Sequence, residues 1–124
     1  MAITNVQLFS IPVSDQDRSL EFYVGKLGFT LISDQRLQPD MRWVMVAPPG
    51  AQTAMTLVTW FESMPAGSVR GIVLETDDLD GSIAELTALG VETTPVQDAP
   101  WGRYTQLDDP DGNGLIIQAS TGSS

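Results

Sequence analysis

The sequence repeats itself, and the repeat constrains the fold more than any other feature. Asp15-Gln16-Asp17 falls on Asp78-Leu79-Asp80, Ser19 on Ser82 and Leu20 on Ile83. After one residue is gapped, Leu27-Gly28-Phe29 falls on Leu89-Gly90-Val91. The same order of elements follows each match. A unit this small exposes one face of its own sheet, so two copies are expected side by side.

Each copy reads as a strand, a helix and three strands. Residues 6–13 are apolar and β-branched, which predicts a first strand. Ser14-Asp15 supplies a helix N-cap, and Asp17 places negative charge in the first turn. Leu20, Tyr23, Val24 and Leu27 recur at helical spacing before Gly28 closes the helix. Strands follow over residues 29–37, 41–47 and 54–61, broken by Pro39-Asp40 and by Pro48-Pro49-Gly50. After a linker with Pro65 and Gly67 the pattern restarts. A strand spans 71–76, and Asp77-Asp78 caps a helix carrying Leu79, Ile83, Leu86 and Leu89, which Gly90 ends. Strands are expected over 91–96, 103–107 and 115–119, with a frayed end over 121–124. The expectation is an α+β fold in one domain, residues 1–124: two βαβββ modules, about 5–62 and 68–120, forming a curved mixed sheet with helices outside and a concave central cavity.

Composition then removes whole classes of chemistry. There is no cysteine and no histidine among the 124 residues. Thiolate catalysis, disulfides, Ser–His pairs and imidazole-based metal sites are excluded. Sixteen acidic residues against six basic ones give a net charge of −10, which argues against nucleic-acid and anionic-membrane partners. No apolar run is long enough to span a bilayer, and no basic-then-apolar leader opens the chain, so a cytoplasmic protein is expected. No nucleotide-type glycine loop is present.

The stretch Ile11-Pro12-Val13-Ser14-Asp15, followed by Ser19-Leu20-Glu21-Phe22-Tyr23 and Leu27-Gly28-Phe29, resembles the first module of the vicinal oxygen chelate superfamily. That superfamily includes glyoxalases, bleomycin-resistance proteins and extradiol dioxygenases. Asp109-Pro110-Asp111-Gly112-Asn113 resembles its final hairpin, so the likeness runs from Val6 to Ala119. The resemblance implies paired βαβββ modules, a homodimer, and, in the enzymes, a divalent metal held by His, Gln or Glu on four strands. Carried over one at a time, those positions fall on Leu8, Thr56, Gly71 and Ile116. None is an imidazole or a carboxylate, so a member without the metal and without a cofactor is expected.

Other acidic groups have plainer readings. Asp109 to Gly114 matches the start of a calcium loop, but Ser120 stands where the closing Glu belongs, and a hairpin turn is expected instead. Asp77, Asp78 and Asp80 read as a helix cap.

The ligand candidates are aromatic, thioether and a few polar side chains. Trp43, Met45, Met55, Trp60, Phe61, Trp101 and Tyr104 are suited to line an apolar cavity, with ordinary core packing as the alternative. Thr56 shares a strand face with Trp60. Among Arg42, Arg70 and Arg103, the last is favoured as a recognition cation, against ion pairing with surplus acids. Glu75 and Gln118 carry polar groups on the parity of Gly71 and Ile116. Glu75, if buried, is the one candidate for proton transfer. The reading is a metal-independent small-molecule binder that sequesters an apolar or aromatic ligand, an antibiotic included, as in the bleomycin-resistance proteins it resembles. A glyoxalase- or dioxygenase-like enzyme and a module that docks on a partner chain are the alternatives.

Overall fold

The computed structural model describes residues 2–120. Ten elements run β1 (Leu8–Pro12), α1 (Gln16–Tyr23), β2 (Thr30–Gln38), β3 (Met41–Ala47), β4 (Ala54–Val58), β5 (Ile72–Glu75), α2 (Leu79–Ala88), β6 (Gln97–Ala99), β7 (Gly102–Asp108) and β8 (Gly114–Ser120). The strands form two four-stranded mixed sheets, ordered β1-β4-β3-β2 and β5-β8-β7-β6. In both, the first and last strands of the module pair in parallel and the other ladders are antiparallel. The α+β fold and the duplicated βαβββ unit are therefore present. Residues 121–124 lie outside the described region.

The repeat survives at the level of single hydrogen bonds. The Asp15 carboxylate accepts from the Arg18 backbone N–H at 3.0 Å, and the Asp78 carboxylate accepts from the Gly81 N–H at 3.0 Å. One turn on, the Ser19 hydroxyl donates to the Asp15 carbonyl and the Ser82 hydroxyl to the Asp78 carbonyl. Gly28 and Gly90 both take the left-handed conformation just past their helices, with φ of 78° and 82°. At eight residues α1 is too short to persist alone, so Phe22 and Tyr23, both buried, hold it against the sheet.

Strand alternation gives each sheet an inner face packed on its helix and an opposite, outer face. Ile11, Val44, Val46, Met55 and Leu57 lie on the inner face of the first sheet, and Ile72, Leu107, Leu115 and Ile117 on that of the second. All belong to one core cluster, which spans both modules.

The last turn of the second module locks onto the first. The Asp109 carboxylate accepts from the Tyr23 hydroxyl at 2.8 Å, from the Asn113 side chain at 2.8 Å, and from the backbone N–H groups of Asp111 and Asn113 at 2.9 Å. Asn113 in turn donates to the Pro12 carbonyl at 2.8 Å, and Asp111 takes the Ser14 N–H, the Ser14 hydroxyl and the Arg18 guanidinium on one oxygen. Gly67 (φ +83°) also donates its N–H to Pro12, and a Cβ there would overlap the Asp111 carbonyl oxygen. Burial raises the Tyr23 hydroxyl pKa, and the facing Asp109 charge adds to the effect. The expected turn is thus also an inter-module clasp. Its oxygens are spent on internal donors, apart from one buried Asp111 oxygen, so the calcium-loop reading has no ligand set.

Two strands depart from expectation. No strand forms over 91–96; β6 begins at Gln97. Thr94 does bond to Gln106 and Thr105 of β7. Pro95 has no N–H to continue the ladder, so regular pairing starts only beyond it. β4 stops at Val58, where its partner β1 also ends, leaving Trp60 and Phe61 in the connection that follows.

Candidate ligand-binding faces

The outer face of the first sheet is mostly apolar. Leu8, Ser10 and Pro12 of β1 pair with Ala54, Thr56 and Val58 of β4, and Met45 of β3 pairs with Thr56. By alternation Trp43 stands beside Met45 on this face. Trp43, Met45 and Trp60 are half-buried, and Thr56 is fully buried. Its polar groups are Ser10 and Thr56, their hydroxyls 3.0 Å apart, and Ser33 and Gln35 of β2, which pair with Met45 and Trp43. The Trp60 and Phe61 rings pack at 6.0 Å just past the strand.

The outer face of the second sheet carries a polar row. Glu75 pairs with Gln118, Gln118 with Tyr104, and Tyr104 with Gln97, so the row crosses β5, β8, β7 and β6. The Tyr104 hydroxyl donates to the Gln97 side-chain oxygen at 2.9 Å. The next row is Val73, Ile116 and Gln106, with Val73 53% exposed. Glu75 is exposed at its strand end; Tyr104 and Gln118 are half-buried.

Alternation separates residues that the sequence reading grouped together. Arg103 precedes Tyr104 on β7, so it faces the other way, toward α2, where its guanidinium lies 3.8 Å from Asp80 and 3.5 Å from Asp98. Arg42 does the same in the first module, with two bonds to Asp34 at 2.8 Å and one to Asp17 at 2.9 Å. Those bonds hold the Asp34 carboxyl below the ordinary carboxylate range and raise the Arg42 pKa. Arg70 pairs with Asp108 at 3.2 Å. Met55 is buried in the core, not on the outer face with Thr56. Trp101 sits in the β6–β7 turn and is 60% exposed. Sequence reasoning missed Ser10 and Gln97. Ser10 is signalled by its parity with Leu8; Gln97 is hidden because the sequence pattern points to a strand over 91–96, whereas β6 begins at Gln97.

The four positions that correspond to metal ligands do share the outer faces, but their chemistry does not fit a divalent cation. Leu8 and Ile116 are aliphatic, Gly71 has no side chain, and the Thr56 hydroxyl is engaged with Ser10. Among the described residues, no group of three or more His, Cys, Asp or Glu is placed to hold a metal ion.

The chain also has a cleft of about 410 Å³, and it lies on the inner side. Phe9 and Met55 wall it from the first module, Ile72 and Ile117 from the second. Of the expected ligand-binding and catalytic residues, Met55 and Glu75 reach it. Among the described residues no helix is long and apolar enough to cross a membrane.

Comparison with known proteins places this architecture. The profile of the glyoxalase/bleomycin resistance protein/dioxygenase superfamily matches residues 5–117. The chain belongs to that superfamily. Among superfamily structures, it is 47% identical to TnmS3, described as an antibiotic binding protein from Streptomyces sp. CB03234, with a TM-score of 0.94 over 98% of this chain and 99% of that one. A superfamily member from Sphaerobacter thermophilus is 41% identical, with a TM-score of 0.88 over 97% of this chain and 100% of that one. The uncharacterized protein YetH of Bacillus subtilis is 32% identical over 121 residues, 94% of this chain and 98% of YetH.

Proposed function

We propose that this superfamily member is a metal-independent small-molecule-binding protein that sequesters a planar, largely apolar ligand, with an aromatic antibiotic as the class it fits best. The observation that carries the reading is the split between the outer faces. One offers Trp43 and Met45 as a stacking surface, with Trp60 in the connection that follows β4. The other offers a row of hydrogen-bonding groups from Glu75 to Gln97. A flat molecule with polar groups along one edge needs both, and neither requires a metal or a general base. The similarity to TnmS3 supports the same reading.

The two outer faces turn away from the core that the modules share, so a single chain leaves them open. We infer a cytoplasmic homodimer in which the first module of one copy faces the second module of the other, closing a cavity around the ligand. Glu75 and Gln118 then orient the ligand as acceptor and donor, and Trp101, on its exposed turn, covers the entrance.

Thermal unfolding against a panel of planar aromatic antibiotics, with and without EDTA, tests this. A ligand at a hundredfold its Kd stabilises the fold by about 2.7 kcal/mol, and the chelator leaves that gain unchanged. No stabilisation across the panel, or a gain that EDTA abolishes, removes the reading.

A further inference from the structure

The inner cleft opens between the modules on the core side of the sheets, and of the residues that the proposed function uses only Glu75 reaches it. At about 410 Å³ it falls within the ~300–1,000 Å³ typical of small-molecule sites. Its floor is apolar: Leu27, Phe29 and Met55 come from one module, Ile72, Leu74 and Leu86 from the other. Leu27 and Leu74 remain only half-buried, so apolar surface is left for an occupant to cover. The modules that supply the two walls are tied together by the bond from Tyr23, three residues before Lys26, to Asp109.

The rim carries charge that the protein does not neutralise itself. Lys26 stands on the first module's side, Glu75 and Glu85 on the second's. Among the described residues none of the three has an ion pair. The nearby hydroxyls of Thr76 and Ser82 satisfy each other at 2.9 Å. Two carboxylates against one ammonium, in a chain of net charge −10, favour a cation at the mouth.

We propose that the inter-module cleft is a second binding site, for an amphipathic amine whose aromatic body lies on the Leu27–Leu74 floor and whose ammonium group reaches Glu75 and Glu85. The site shares Glu75 with the polar outer row and no residue with the stacking face. It bridges both modules, so its occupant tightens their contact.

Two probes with the same body and opposite charge test this: 1-naphthylmethylamine and 1-naphthoate, titrated into the intact protein and followed by amide chemical shifts. The amine is expected to shift Leu27, Leu74 and Leu86 saturably and to bind at least threefold more tightly than the naphthoate. Glu85→Gln weakens the amine about two- to fivefold, as one exposed carboxylate does, and leaves the naphthoate no weaker. Trp43→Ala leaves amine binding unchanged, so the failure of one site is distinguishable from the failure of the other. The proposal is overturned by equal affinity for both probes, by shifts confined to the outer faces, or by an apparent affinity that falls as protein concentration rises. The last result would mean that a second copy of the chain fills the cleft.

Discussion

Arg42 and Arg103 occupy the same place in their modules, each reaching back to an aspartate in the first turn of its helix. One residue later, Trp43 and Tyr104 also correspond, but they differ in kind. The same holds two residues further on for Met45 and Gln106, and on the neighbouring strands for Thr56 and Ile116. The inner sides of the two modules keep the same caps, serines and arginines, while the outer sides have diverged. Inner positions are tied to a helix by hydrogen bonds and packing, so a change there costs stability. Outer positions are not, and they are free to serve a ligand. The duplication is kept in the scaffold, and under the function proposed above the diverged outer faces would carry specificity, stacking on one and hydrogen bonding on the other.

The clasp breaks the symmetry of the inner sides and gives the largest expected effect. Asp109 corresponds to Pro48, which follows the matching strand of the first module and carries no carboxylate. Asp109→Ala leaves the Tyr23 hydroxyl and three further donors without their acceptor, and about 3–5 kcal/mol of stability is expected to go. Pro48→Ala is expected to cost about 1 kcal/mol or less. Urea unfolding measures both. We propose that residues 2–120 unfold as one unit because of the clasp, and two separate transitions in the native protein would break that view.

Tyr23→Phe is the milder test. It removes one buried bond and is expected to cost about 1–3 kcal/mol near neutral pH. The pH dependence has a definite sign. The folded hydroxyl is raised above its unfolded value of about 10, so its contribution is complete below pH 10 and falls away as pH climbs beyond it. Native protein should therefore lose stability more steeply above pH 10 than Tyr23→Phe does. Parallel alkaline unfolding curves would contradict the burial of that group.

The two arginines give the smallest effect. Arg42 makes three close bonds and is 20% exposed, whereas Arg103 is 49% exposed with contacts of 3.5 and 3.8 Å. Arg42→Met is expected to cost about 1 kcal/mol and Arg103→Met under about 0.5 kcal/mol, the gap closing in molar salt. The carboxylate side gives the same sign. Asp34 is held low by Arg42, so its share of stability is present above the ordinary carboxylate pKa and lost as pH falls below it.

Much of the scaffold was legible because its signals are local. Asp15 and Asp78 cap helices, Gly28 and Gly90 end them, and the repeat itself predicts equivalent sheets. The β6 strand was not legible, because Val91, Thr93 and Thr94 look like a strand while Pro95 prevents the ladder. The clasp was not legible either. Asp109 to Asn113 reads as a turn, and nothing local reveals that it meets Tyr23, 86 residues away along the chain. Of the candidate ligand residues, the placement of Trp43, Met45, Thr56, Tyr104 and Gln118 on outer faces follows from parity alone. Arg103 and Met55 lie on the inner faces, as a strict period of two requires of the neighbours of Tyr104 and Thr56.

The proposed division of recognition between the two outer faces is open to a single calorimetric experiment. A ligand found by the thermal panel is titrated into the native protein, Trp43→Ala and Tyr104→Phe. Trp43→Ala is expected to weaken binding tenfold or more, through the loss of about 1.5 kcal/mol or more of stacking surface. Tyr104→Phe is expected to weaken it about three- to tenfold, chiefly through a smaller binding enthalpy, as one hydrogen bond does. Undiminished binding in both variants would contradict that division.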